Sequence, residues 1–116
     1  MARHNITGNK GEKLAAEFLE KKGYNIKEKN YRYKRAEIDI IAQKENLLIF
    51  FEVKTRGAIS FGLPEEFVDA KKRDLIIEAA DQYIFDNNWQ GDIRFDIISV
   101  VVHPQPEITQ FEDAFY

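Results

Sequence analysis

The chain has no cysteine among its 116 residues. That excludes a disulfide framework, a thiolate nucleophile and a thiolate metal site. Histidine is scarce too: His4 and His103 stand apart with no partner pattern, and neither is assigned a role. Long apolar runs are missing. The longest, Leu47 to Phe51, falls far short of the roughly 18 residues of a membrane span, and the polar start MARHNITGNKGEK does not have the form of a signal peptide. The expectation is a cytoplasmic protein with no membrane partner. Positive charge is not in excess. Seventeen Lys and Arg face 20 Asp and Glu, for a net charge of -3. That argues against a protein whose whole role is to coat nucleic acid. It leaves open an enzyme whose carboxylates would lie under divalent cations in use.

The apolar fraction, 44% with 13% aromatic, is that of a packed globule. The length fits one domain spanning 1–116. From Gly11 to Lys22, Leu14, Ala15, Phe18 and Leu19 recur at helical spacing, and Gly23 stands where a C-terminal helix glycine belongs. "YNIKEKNY" reads as a short strand and "RYKR" as a polar turn. Ala36 to Ala42 and Leu47 to Thr55 read as two further strands. "RGAISFGLPEE" reads as a loop that ends in a helix start at Pro64, with Glu65 and Glu66 favouring a helix N-terminus. Helical spacing then continues through Val68, Lys72, Leu75, Ile76, Ala79, Ala80 and Tyr83 to about Phe85. "RFDIISVVV" is a fourth strand from Arg94, and the tail from Pro104 is expected to be an irregular cover. There is no internal repeat. The expected order is αβββαβ.

Two charged sites interrupt this apolar pattern. Asp39 stands among Ile38, Ile40 and Ile41, and Glu52, Val53 and Lys54 follow Leu47–Phe51. An even-numbered hairpin loop centred on Glu45 and Asn46 would set Asp39 opposite Glu52 and Glu37 opposite Lys54. Alternation along a strand would then place all four on one face. Opposed Cβ atoms lie about 4.5–5.5 Å apart, and like charges so placed destabilise a sheet. A divalent cation with oxygen ligands would relieve the pair, and so would a shared proton. Lys54, about 7 Å from Glu52 along the same face, could hold a water or a phosphate oxygen. The simpler alternative is a solvated outer face with ordinary Glu–Lys pairs. The apolar runs on both sides favour a partly buried pocket.

At "EIDIIA…FFEVKTR" the sequence resembles the PD-(D/E)xK nuclease superfamily. It is most similar to the YraN-like family of small bacterial proteins, themselves similar to archaeal Holliday-junction resolvases. The resemblance extends through "GNKGEKLAAEFLEKKGY", "KNYR", "FGLPEEFV", Lys72, "AADQYI", "RFDII" and "ITQFEDAF". Ala36 departs from the family's usual glycine, and Arg73 from a common glutamine. The resemblance implies a restriction-endonuclease-like α/β fold with a mixed sheet flanked by helices. It implies that Asp39 and Glu52 ligate Mg²⁺ (or Mn²⁺) together with the Val53 carbonyl. By the same resemblance Lys54 positions the attacking water, and Glu12 on the first helix completes the site. Without it, Glu12 is simply a carboxylate favoured by the helix dipole.

Several basic residues are candidate nucleic-acid contacts. Arg56 continues the face of Lys54. Lys72 aligns with Val68 and Ile76 on the apolar side of the second helix, where it would either snorkel or reach the site. Arg32, Lys34 and Arg35 interleave with Tyr31 and Tyr33, a combination suited to nucleic acid as well as to plain solubility. Arg94 and Asp96 are expected to form a structural ion pair, and Trp89 to cap the end of the second helix. The reading is a metal-dependent DNA endonuclease acting on branched or structured DNA, with a homodimer as the form a junction cutter would need for two sites. The alternatives are a non-cleaving nucleic-acid-binding module and a protein-interaction domain on the same scaffold.

Overall fold

The computed structural model describes residues 6–56 and 69–115. Helix α1 (Ile6–Lys21) is followed by strands β1 (Asn25–Tyr33), β2 (Ala36–Lys44) and β3 (Leu47–Arg56). Helix α2 (Ala70–Asp86), strand β4 (Asp92–Val101) and strand β5 (Glu107–Phe111) complete the chain order. The five strands form one sheet in the order β1-β2-β3-β4-β5. All neighbours are antiparallel except β3 and β4, whose parallel pairing follows a crossover that contains α2.

Each helix covers one face. Ala15, Ala16 and Leu19 of α1 pack on Ile40, Ala42, Ile49, Phe51, Ile98 and Val100. Ile76, Ala79, Ala80 and Tyr83 of α2 pack on Ile38, Ile41, Leu48, Phe50 and Phe95. Central strand β3 is therefore buried on both sides, which explains why LLIFF is apolar throughout rather than alternating. Phe50 stacks on Phe95 with ring centroids 5.3 Å apart.

Helix α1 ends as expected. Gly23, at φ 93°, closes a Schellman motif in which Tyr24 N–H donates to Leu19 O and Gly23 N–H to Glu20 O, each at 3.0 Å. The start of α1 is held close to the sheet by a second glycine. A Cβ on Gly11 would lie 2.0 Å from Thr55 Oγ1, so only hydrogen fits there. Thr55 is β-branched and has little freedom to move aside. Gly11→Ala should therefore push the first turns of α1 off the end of β3 and cost about 1–3 kcal/mol. Thermal unfolding checks this, and an unchanged melting temperature would contradict the contact.

The structure corrects several expected boundaries. "RYKR" is not all turn: β1 runs to Tyr33, because Tyr31 and Tyr33 pack against the cluster under α2. Only Lys34 and Arg35 turn. The loop from Gly57 and the Pro64 helix start lie outside the described residues. Helix α2 begins at Ala70, where the Asp69 side chain caps it by accepting from Lys72 N–H at 2.8 Å. The fourth strand begins at Asp92, two residues earlier than expected. The tail is not an irregular cover: Glu107–Phe111 pairs along β4 as an edge strand, and the element order gains a final β. Trp89 does close the end of α2, donating Nε1–H to Asp92 O at 3.0 Å.

Candidate active site

The β2–β3 hairpin has the expected register, from Lys44 opposite Leu47 to Ile40 opposite Phe51. The paired ladder stops there. One step further, where Asp39 would face Glu52, the Asp39 side chain takes the place of the missing strand partner. Its Oδ2 accepts from Val53 N–H at 2.7 Å. The pleat also slips at this point. Ile38 belongs to the cluster under α2 and Ile40 to the cluster under α1, so alternation skips a step at Asp39. Across the sheet, Asn30 lies between the pairs Lys29–Ile40 and Tyr31–Ile38 and has φ 55°. Asn tolerates that left-handed conformation better than most residues.

The slip corrects the one-face arrangement. Glu52 and Lys54 face α2, whereas Glu37, between the α2-facing Ala36 and Ile38, points to the α1 side. Glu37 does not pair with Lys54. It meets Arg32, Nε to Oε2 3.8 Å. With its amide nitrogen turned toward the carboxylates, Asn30 donates to both Glu12 Oε1 and Glu37 Oε2 at 3.1 Å. Lys54 instead contacts Glu52 on its own strand, Nζ to Oε2 3.3 Å. Lys72 reaches in from α2 and donates to the same Oε2. Four carboxylates, Glu12, Glu37, Asp39 and Glu52, and two ammoniums thus gather where β2 and β3 part.

Burial, followed by the charge of Glu52, pushes the Asp39 carboxyl up to about 8, against the opposing hydrogen bond from Val53. Burial, then the charge of Glu37, raises Glu12 as well. Burial lowers the Lys54 amine, partly offset by Glu52 and reinforced by Lys72. Burial opposes the charged form of Lys72, but its bond to Glu52 and the charge there outweigh this and raise it.

The Asp39 shift has a consequence for stability. In the unfolded chain this carboxyl titrates near 3.9. The folded state prefers the protonated form, so the stabilisation it gives is full below about pH 4 and is lost as pH rises toward 8. Asp39→Asn removes that titration. In the presence of a chelator the variant should match wild type near pH 4 and exceed it by about 1–3 kcal/mol or more at pH 8. Urea unfolding at the two pH values checks the sign. A variant that loses stability relative to wild type as pH rises would contradict it.

Among the described residues no group of three or more His, Cys, Asp or Glu side chains is arranged to hold a metal ion. Of the four carboxylates there, Glu12 and Glu37 lie against Asn30, which leaves Asp39 and Glu52, with the Val53 carbonyl, as the donors that the resemblance assigns to an ion. These hard oxygen donors suit Mg²⁺ in kind, since that ion is commonly held by one or two carboxylates with water and substrate oxygens completing its shell. The half-buried Asp39, pushed up by desolvation and by the charge of Glu52, is the kind of group a cation would relieve. Glu52 Oε2 is taken up by the two lysines.

The other basic candidates lie around this end of the sheet without converging. The Arg32 side chain is 78% exposed beside Glu37. Arg35 is exposed in the β1–β2 turn. Arg56 ends β3, on the face of Lys54, and its carbonyl accepts from Val102 N–H at 3.0 Å. Arg94 and Asp96 are a structural pair, as expected. Asp96 is fully buried and takes bonds from Arg94 Nε and Nη2, Gln110 and the Asp113 N–H. A cavity of about 360 Å³ lies at the opposite end of the sheet, between Tyr24, the β2–β3 turn and Arg94, away from Asp39. Sequence reasoning gave no part to Asn30, which bridges two of the carboxylates. Its one signal was an asparagine within a strand pattern.

The strand order and the helix-containing crossover between β3 and β4 are consistent with a restriction-endonuclease-like α/β core. The charged cluster it carries brings carboxylates and lysines together where β2 and β3 part. The chain belongs to the uncharacterised protein family UPF0102, whose sequence model matches residues 11–100. It is 51% identical over 117 residues to a UPF0102 protein of Flavobacterium psychrophilum, covering 100% of this chain and 98% of that one. It is 49% identical over 123 residues to a UPF0102 protein of Flavobacterium johnsoniae, again covering 100% and 98%. A UPF0102 protein of Caldanaerobacter subterraneus subsp. tengcongensis is 50% identical over 99 residues, 84% of this chain and 81% of that one. The matched span contains Glu12, Asp39, Glu52, Lys54 and Lys72 and ends before β5. Among the described residues no helix is long and apolar enough to cross a membrane.

Proposed function

We propose that the protein is a metal-dependent endonuclease that hydrolyses phosphodiester bonds in DNA, on branched or structured substrates. The observation that carries this reading is the half-buried Asp39 and the buried Glu52 beside Lys54 at the parting of β2 and β3. Asp39, Glu52 and the Val53 carbonyl would hold Mg²⁺ or Mn²⁺, and the ion when bound would polarise the phosphate and make a water more acidic. Lys54 would orient that water and offset negative charge growing on the phosphate. Glu12 would lie close enough to adjust the charge of the pair. Arg32, Arg35 and Arg56 would contact phosphates around the charged cluster. The proposed likeness to archaeal Holliday-junction resolvases suggests a homodimer, with two sites for two strands.

A second reading, a nucleic-acid-binding module that does not cut, is favoured by one observation. The described residues include no group of three or more side chains arranged to hold a metal ion. A panel of single-stranded, duplex, flap and four-way DNA with Mn²⁺ separates the two. Cleavage of any member that disappears in Asp39→Asn supports the nuclease. Binding that weakens steeply with salt but never leads to cutting supports the module.

A further inference from the structure

Lys72 occupies an unusual place. It is in the first turn of α2, where its backbone N–H bonds the Asp69 cap. A cation there opposes the helix dipole. The first turn itself holds no acidic residue beyond the Asp69 cap, and Lys71 and Arg73 flank it. Further compensation comes from the sheet. Lys72 Nζ donates to Glu52 Oε2, on a side chain only 6% exposed. Lys54 contacts that same oxygen. Two ammoniums therefore share one carboxylate oxygen, so the single charge of Glu52 is already balanced twice over.

A divalent ion placed between Asp39 and Glu52 would upset that balance. Like charges held a few ångströms apart in a partly buried site repel strongly, because the effective dielectric there is well below that of water. One ammonium must then move away. The two lysines are not equivalent. Lys54 rises from a central strand and its side chain is 22% exposed, whereas that of Lys72 is 41% exposed at a helix end. The Lys72 stem can swing its charge into water while the capped helix stays in place.

We propose that Lys72 is an exchangeable counter-cation. It holds the Glu52 carboxylate in the metal-free protein, competes with a divalent ion for it, and leaves when the ion binds. Lys72 is thus a positioning residue for Glu52, and this inference rests on the metal-binding reading above. It accounts for a lysine set against its own helix dipole and for a carboxylate oxygen already occupied in the charged cluster.

Calorimetric titration with Mn²⁺ tests it on wild type, Lys72→Met, Lys72→Arg and Lys71→Met. Lys71 is exposed and neighbours Lys72, so Lys71→Met makes the same change in net charge and serves as the control. Lys72→Met should bind Mn²⁺ at least about tenfold more tightly than wild type. Lys72→Arg, which keeps the charge, should stay near wild type, and Lys71→Met should change affinity less than about twofold, as a distant screened charge does. Without metal, Lys72→Met should melt at a lower temperature than wild type. Mn²⁺ binding by Lys72→Met where wild type binds too weakly to detect would also support competition. If wild type binds Mn²⁺ and Lys72→Met binds no more tightly than Lys71→Met, the exchange is wrong and the metal site stands. If no variant takes up Mn²⁺, the metal reading itself falls and this inference falls with it.

Discussion

Lys54→Met should lose at least about a hundredfold in cleavage rate while folding and retaining Mn²⁺. Methionine keeps most of the stem and removes the ammonium. Preorganised electrostatic help of the kind proposed for Lys54 is of order 10²–10³ in rate. If Lys54 were only an ion-pair partner, its effect would be on the sheet alone, roughly 0.2–1 kcal/mol. The structure sharpens the contrast, because the partner is Glu52 on the same strand, 3.3 Å away, and not Glu37 across the hairpin. Lys72 also holds Glu52, so the carboxylate keeps one counter-charge when Lys54 is removed. Single-turnover cleavage with Mn²⁺ on the substrate the wild type cuts best is the test. Equal rates for wild type and Lys54→Met, with cutting still dependent on Asp39, would remove Lys54 from the chemistry.

The largest stability effect is expected far from the charged cluster. Asp96 is fully buried on β4. Its carboxylate accepts from Arg94 at 2.8 and 2.9 Å, from Gln110 of β5 at 2.9 Å and from the Asp113 N–H at 2.9 Å. These bonds join β4 to β5 and to the turn that follows. Asp96→Ala leaves the guanidinium, an amide and a backbone N–H without their acceptor. Breaking a buried pair from one side costs about 3–5 kcal/mol. Urea unfolding should show that loss, and a change below about 1 kcal/mol would mean that Glu112, 3.6 Å from Arg94, takes over the charge.

Residue by residue, the sequence was most informative where local chemistry decides the structure. The loop at Glu45–Asn46 sets the β2–β3 register, and Gly23 ends α1 in the conformation only glycine adopts easily. The slip at Asp39 was hidden for a physical reason. Both faces of β2 are buried, one under each helix, so Ile38, Ile40 and Ile41 are apolar whichever way they point. Strand parity leaves a trace in the sequence only when one face is wet. Strand β5 was hidden because EITQF is short and half polar. It exists through backbone pairing to β4 and through the Gln110–Asp96 bond, both non-local. The Lys72–Glu52 contact spans the crossover from β3 to α2, and helical spacing alone left Lys72 free to snorkel or to reach inward.

The geometry also separates two carboxylates that look alike in the sequence. Among the described residues Asp39 bonds a backbone N–H alone and is pushed toward its neutral form, so neutralising it relieves the metal-free protein. Glu52 carries two ammoniums, so Glu52→Gln leaves Lys54 and Lys72 side by side without their shared partner and should destabilise the metal-free protein. Opposite signs of stability change are expected from two substitutions that should both weaken metal binding.

Mn²⁺ titration of wild type, Asp39→Asn and Glu52→Gln, followed by calorimetry at a temperature where all three are folded, bears most directly on the central claim that this pair holds a divalent ion. Wild type should bind, and each variant should bind at least about tenfold more weakly, as expected when one of two charged oxygen ligands is lost. Equal affinity in all three proteins would contradict the assignment of Asp39 and Glu52 as metal ligands.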